Sequence, residues 1–250
     1  TAEMIKYVSN SLLATMISFS NEIGNMCSAV PGVDARLVWK GVHLDRRLTP
    51  INGQVGGAAG VTEYLWHGLG FGGSCFPKDV AALRSFGRTV GEQTRMLDAV
   101  LDINTDQPLR MVALLEKELS LAGKTVAVLG LAFKPGTDDL RESPALPLVA
   151  ELRKKGAKVL VHDPIAMPHA KKRPEFRDVV FAEDWAEALR KSDACCLVTA
   201  WPEYRNIQPT NFQKLMTRAL VIDGRGVFEP AAMAAAGVVW RGVGYTPEST

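Results

Sequence analysis

The chain reads as an α/β protein with two unlike parts: an all-helical region to about residue 120, then a doubly wound parallel sheet. Three observations predict this. Apolar residues recur at three- and four-residue spacings through the first half. Past Leu121-Ala-Gly-Lys124, short β-branched runs alternate with helical segments, the pattern of parallel βαβ units. Between the first helices lies Gly68-Leu-Gly-Phe-Gly-Gly-Ser-Cys75-Phe-Pro-Lys-Asp79, too rich in glycine for a helix interior.

Residues 3 to 29 read as one long helix. Ile5, Val8, Leu12, Met16, Phe19, Ile23 and Met26 form its apolar stripe. The stripe is long enough to serve a helix of a second copy of the chain, or to be buried within its own domain. Lys6 and Asn10, four apart, share one face. Gly32-Val33-Asp34 starts a second helix through about Gly41, and Asp45-Arg46-Arg47-Leu48 follows. Residues 49–63 form a glycine-rich stretch with the composition of a mobile loop. In 68–79 the glycines allow close approach to the backbone, and Pro77 fits the first position of a helix. Val80, Leu83 and Phe86 face inward from that helix. Cys75 sits just ahead of the helix start, beside Lys78, and both features favour thiolate. The plainer alternative is a small buried hydrophobe beside a turn. Gly68, Gly70 and Gly73 also match G-x-G-x-x-G. That fingerprint needs a preceding strand and an acidic residue about 20 positions on. Val61-Thr-Glu-Tyr-Leu-Trp-His67 is a marginal strand and the acid is missing, so we reject it as a cofactor site.

Residues 90–104 and 107–120 form two more helices, the second started by Pro108. Met96, Val100, Ile103, Met111, Leu114, Leu115 and Leu119 supply their apolar faces. Thr125–Gly130 is a buried strand ending in glycine. Ser143-Pro144 caps a helix through Lys155, and Gly156 ends it. Strands follow at 158–162, 194–199, 219–223 and 238–243, with helices at 182–191, 211–216 and 230–236. His162-Asp163-Pro164 reads as a strand-end turn.

Composition narrows the function classes. With 250 residues there is room for one large or two small domains. Apolar residues at 47% and charged ones at 22% are ordinary for a globular protein. A net charge of +2 gives no reason to expect nucleic acid or an anionic membrane. Lys171-Lys172-Arg173 reads as a solvated loop. No apolar run approaches a membrane span and no signal peptide is visible. The cysteines at 27, 75, 195 and 196 have neither metal nor disulfide spacing, which fits a reducing cytoplasm. The chain opens at Thr1 without methionine and reads as a piece of something longer.

Gly70-Phe-Gly-Gly-Ser-Cys75-Phe-Pro-Lys-Asp79 resembles the catalytic-cysteine motif of the UDP-glucose/GDP-mannose dehydrogenase family. Ala2-Glu-Met-Ile-Lys6-Tyr-Val-Ser-Asn10 through Phe19-Ser-Asn-Glu22 resembles that family's central helix. Phe133-Lys134-Pro-Gly-Thr137-Asp-Asp139-Leu-Arg141-Glu-Ser143 resembles its Phe-Lys-x-x-Thr-Asp-Asp-x-Arg-Glu-Ser signature.

The resemblance implies a helical central, dimerising region followed by a Rossmann-like domain for a nucleotide sugar, divided near 120/121. The activity it implies is oxidation of a nucleotide sugar C6 hydroxyl to the carboxylate with two NAD, UDP-glucose becoming UDP-glucuronate. Cys75 would be the nucleophile. Lys6 and Asn10 would hold the oxyanion and the attacking water, and Asp79 would assist. Arg47, Tyr64, Leu65, Phe71, Gly72, Phe133, Lys134 and Arg225 would contact the sugar nucleotide, Arg47 in the partner subunit's site. Lys78 and Arg141 would lie on the NAD side, and no metal is implied. A UDP- or GDP-sugar and a second copy joined through the long helix would be the partners. The family's amino-terminal NAD-binding domain is not in this sequence, so the chain alone is expected to be an inactive fragment. Three alternatives stand: a GDP-mannose dehydrogenase, a non-catalytic nucleotide-sugar binding module, and a thiol hydrolase pairing Cys75 with His67.

Overall fold

The computed structural model describes residues 1–45, 47–48 and 60–246. Arg46 and most of the glycine-rich stretch, residues 49–59, lie outside them. The chain divides into two compact units: Thr1–Gln107 with the segment from Gly244 onward, and Pro108–Val243.

The first unit is helical and built on α1 (Ala2–Cys27). Its buried face is small and polar: Ser11, Ala14, Ser18, Asn21 and Gly24. These residues let α3 (Phe76–Thr89) and α4 (Arg95–Asp106) pack close to the α1 backbone. Much of the apolar stripe points the other way, with Ile5 62%, Leu12 55% and Met26 62% exposed. Met16 and Ile23, at its edge, pack against buried Cys27, Ala35, Trp39 and Leu65. Trp39 comes from α2 (Ala35–Val42), whose cap Asp34 accepts a hydrogen bond from the Arg36 N–H. A second cluster joins Ala14, Phe71, Val80 and Val100. Two expected core residues are corrected. Phe86 and Met96 are exposed, because the packing of α3 and α4 centres on Val80 and Val100 and leaves the far end of one and the start of the other outside.

The second unit holds six parallel strands: β1 (Thr125–Leu129), β2 (Lys158–His162), β3 (Val180–Phe181), β4 (Ala194–Leu197), β5 (Leu220–Asp223) and β6 (Val239–Gly242). Their order is β3-β2-β1-β4-β5-β6. Every residue of β4 and β5 is buried, as a central parallel strand covered on both faces requires. The covering helices are α5 (Leu109–Glu118), α6 (Ala145–Lys154), α7 (Met167–Ala170), α8 (Trp185–Leu189), α9 (Pro202–Arg205), α10 (Pro209–Leu215) and α11 (Pro230–Ala235). Helix α5 packs on α6 and β5, so it lies on the sheet side of the division, whereas the sequence reading drew the line after it. Strand β3 and helices α7 and α9 were not expected. With two and four residues, they are too short to set up a periodic pattern. Among the described residues no helix is long and apolar enough to cross a membrane.

Candidate active site

The glycine stretch enters α3 from a 3-10 turn, Val61–Tyr64, and a loop. The strand that a dinucleotide fingerprint needs is therefore not in front of it. Helix α3 starts at Phe76, so Pro77 holds its second position rather than its first. Cys75 is the residue capping that start, and its side chain is exposed. The Ser74 hydroxyl lies 3.8 Å from its sulfur. The other three cysteines, Cys27, Cys195 and Cys196, are free and buried. Burial pushes the Cys195 and Cys196 thiols well up.

One turn past Cys75, Asp79 has no exposed surface. Its backbone N–H donates to the Cys75 carbonyl at 2.9 Å. From α1, the Asn10 carboxamide donates to its carboxylate at 2.6 Å. The Lys78 ammonium bonds the other carboxylate oxygen and lies 5.5 Å from the Tyr7 ring centroid. Burial alone would push the Asp79 carboxyl up. The bonds from Lys78 and Asn10, with the charges of Lys78 and Lys6, outweigh it and hold the group below its ordinary 3.8. Packing of α1 on α3 thus gathers Asn10, Lys78 and Asp79 beside the exposed thiol, with Lys6 one turn away on the Asn10 face.

The expected sugar contacts of this unit divide. Tyr64, Phe76 and Phe71 form an aromatic run, with centroids 6.2 and 6.0 Å apart. Phe71 and Leu65 are both core residues, 7% and 8% exposed. Gly72 is half-buried. Arg47 is exposed and paired with Asp45 at 2.5 Å, away from the Asp79 cluster in bonding. Arg47 holds the Asp45 carboxyl down to about 2.

In the second unit, strand order reverses between β1 and β4, the place where doubly wound sheets take ligands. Gly130 follows β1 with φ +95°, and a Cβ there would lie 2.6 Å from the Thr199 nitrogen. That glycine serves close packing on Thr199. Beyond it, Phe133 is half-buried, with the exposed Lys134 ammonium 5.5 Å from its ring. Arg141 is exposed and forked onto Asp139 at 3.0 and 2.8 Å. A cavity of about 550 Å³ beside it is lined by Asp138, Asp139, Arg141, His169, Lys172 and Arg173, among others. Arg225, past β5, donates to the Val198 carbonyl at 2.7 Å. Burial lowers its guanidinium to about 10, opposed by the Asp223 carboxylate.

Two sets of residues escaped the sequence reading. Asp163 was read as part of a turn, yet its buried carboxylate accepts five N–H bonds. Leu131 N (2.7 Å), Ala132 N (3.0 Å) and Trp201 Nε1 (3.0 Å) reach one oxygen. Ile165 N (3.0 Å) and Ala166 N (2.8 Å) reach the other. It ties the loop that carries Phe133 to the ends of β2 and β4. The second set, carboxamides of α1 and α4, holds the glycine loop itself, and no short motif marks them. His162 donates from Nδ1 to the Tyr204 hydroxyl at 2.8 Å, which in turn donates to the His162 carbonyl at 2.9 Å. That closed pair is a packing element.

Comparison with known proteins covers both units. Residues 1–106 match the central domain of the UDP-glucose/GDP-mannose dehydrogenase family, and residues 127–230 match its UDP binding domain. The chain is 39% identical over 249 residues to the UDP-glucose 6-dehydrogenase TuaD of Bacillus subtilis, covering 98% of this chain and 50% of that protein. It is 43% identical over 226 residues to the UDP-glucose 6-dehydrogenase AglM of Haloferax volcanii, covering 90% and 49%. A solved UDP-glucose dehydrogenase from Pyrobaculum islandicum superposes with a TM-score of 0.81 at 38% identity, over 97% of this chain and 51% of that one. The chain spans about half the length of the curated relatives it matches.

Proposed function

The chain belongs to the UDP-glucose/GDP-mannose dehydrogenase family, and from that premise we propose that its parent protein oxidises UDP-glucose to UDP-glucuronate through Cys75. The observation that carries the reading is an exposed thiol at a helix start, next to a buried carboxylate bonded to Asn10 and Lys78.

The C6 alcohol first loses a proton and a hydride to become the aldehyde. The Cys75 thiolate adds to that carbon to give a thiohemiacetal, and loss of a second hydride leaves a thioester that water cleaves to the carboxylate and the free thiol. Asn10 and the Lys6 ammonium stabilise the oxygen anion formed at each addition. Asp79, ionised because Asn10 and Lys78 hold it below the ordinary range, orients Asn10 and fixes the Lys78 ammonium. Two NAD, bound in turn, would supply the acceptors for the two hydrides. Lys78 and Arg141, both exposed cations, suit contact with its phosphates. The described residues present no strand–glycine loop–helix cradle for a dinucleotide, so we place its main contacts elsewhere.

Phe133, Lys134 and Arg225, past the ends of β1 and β5, take the nucleotide diphosphate in this reading. Tyr64 and Gly72 line the sugar. The exposed stripe on α1, from Ile5 to Met26, is the surface on which we place a second copy, Arg47 reaching its site. Four free cysteines suit a reducing, cytoplasmic setting.

The test is NADH production by the parent protein with UDP-glucose and GDP-mannose in turn. Turnover with UDP-glucose is expected, abolished in Cys75→Ser while UDP-glucose binding persists. Silence with both sugars overturns the reading.

A further inference from the structure

Two glycines of the Gly68–Gly73 loop, Gly68 and Gly70, are met by carboxamides. The Gly68 N–H donates to Asn21 Oδ1 at 2.7 Å, and the Gly68 carbonyl accepts from Gln107 Nε2 at 2.7 Å. Gln107 is itself bonded to Asn25 at 3.0 Å. Three residues on, the Asn104 carboxamide docks on both polar groups of Phe71. Its Oδ1 accepts the Phe71 N–H at 2.7 Å and its Nδ2 donates to the Phe71 carbonyl at 3.0 Å. This is the pairing of a sheet ladder made by a side chain. Gly70 permits it: with φ +82°, a Cβ there would lie 2.3 Å from Asn104 Oδ1.

We propose that Asn104 is a positioning residue for Cys75. By fixing the Phe71 peptide it sets where the Gly72-Gly73 turn begins, and so where the thiol stands at the start of α3. Between Phe71 and Cys75 lie two glycines and a serine. Gly73 has φ +78°, a conformation with little stiffness of its own. Without a hold at Phe71, the turn's origin is set by the ring of Phe71 in its apolar cluster and by the more distant bonds to Gly68. A displacement of about 1 Å at a reacting group costs on the order of a hundredfold in rate. The proposal rests on the reading of Cys75 as nucleophile.

The discriminating variant is Asn104→Asp. Its carboxylate still accepts the Phe71 N–H but turns a second anionic oxygen on the Phe71 carbonyl. Protonated, it donates there and restores the carboxamide pattern. The side chains that bond the same loop at Gly68 and their partner are uncharged, Asn21 and Asn25 from α1 and Gln107 capping the end of α4. The titratable His67, next to Gly68 in sequence, is common to every variant. The α4 acids Asp102 and Asp106 are exposed and common to every variant, as is Asp79 on α3.

In the parent protein at neutral pH, Asn104→Asp and Asn104→Ala are each expected to lose roughly tenfold in kcat, the worth of two hydrogen bonds. KM for the nucleotide sugar stays within about twofold, because the nucleotide is held elsewhere. The ratio of Asn104→Asp to wild-type kcat rises as pH falls, while the Asn104→Ala ratio stays flat. Wild-type kcat in both variants, or a flat ratio for Asn104→Asp, overturns the proposal. If the wild type itself does not turn over, the earlier reading fails. The latch is then read by amide hydrogen exchange across residues 70–75. Protection in Asn104→Asp relative to wild type should fall at neutral pH and recover in acid, and protection equal to wild type throughout sinks it.

Discussion

Changing Asp163 to asparagine removes no atom from the backbone and almost no volume, yet it should be among the costliest substitutions in the sheet unit. The carboxylate takes three N–H bonds on one oxygen and two on the other. An asparagine offers one oxygen. In one amide orientation its NH₂ faces Leu131, Ala132 and the Trp201 indole; in the other it faces Ile165 and Ala166. At least two donors are therefore orphaned in a site where the side chain is 1% exposed. Each buried orphan costs about 1–3 kcal/mol, so the loss is about 2–6 kcal/mol. That is a large share of the roughly 5–15 kcal/mol by which a domain is stable. Urea unfolding followed by far-UV circular dichroism reads it in every variant alike. The midpoint should fall with the m-value unchanged. Trp201→Phe, which removes one donor and leaves the carboxylate four, should cost far less. A loss below about 1 kcal/mol in Asp163→Asn would refute the reasoning, because it would mean that these N–H groups find other partners at no cost.

Other consequences follow from single groups. Asp79 is held below its ordinary 3.8, so the unfolded chain binds its proton more readily than the folded one. Its contribution to stability is complete above the unfolded value and is lost as pH falls through the lower folded one. Asp79→Asn should therefore flatten the acid limb of stability below about pH 4, and superimposable acid limbs would contradict the assignment. Arg225, lowered to about 10 by burial, gains most from an anionic ligand. Arg225→Leu should weaken UDP binding by roughly tenfold to a hundredfold in calorimetry, and unchanged affinity would remove it from the nucleotide site. Gly130→Ala adds a methyl against the Thr199 backbone at a positive φ. It should lower the stability of the sheet unit by about 2–4 kcal/mol, measured by the same unfolding.

The sheet was legible because each central strand is a β-branched or apolar run stopped by a polar turn. Lys158–His162 and Leu220–Asp223 appear nearly as read. Strand β3 was not, since two residues at an edge carry no period. Helix α1 was legible as a helix and not as a surface. Periodicity locates the apolar stripe but cannot say that α3 and α4 would pack on serines, Ala14 and Gly24 instead. Cys75 stood out because a glycine loop, a helix start and a lysine coincide within a few residues, whereas Asn10 and Asp79 were proposed only through the resemblance of the opening helix and the cysteine motif to the family. Asn104, Gln107 and Asp163 were not, because each acts on peptide groups more than thirty positions away. Backbone partners leave no mark on side-chain type.

The burial of three thiols and the exposure of the fourth makes this chain self-reporting. A thiol reagent such as a maleimide, applied to the folded chain, has one cysteine in reach. A dye or spin label placed there stands at the threshold of α3, one helical turn from Asp79. Its signal follows whatever docks beside that carboxylate, with no cysteine to engineer away.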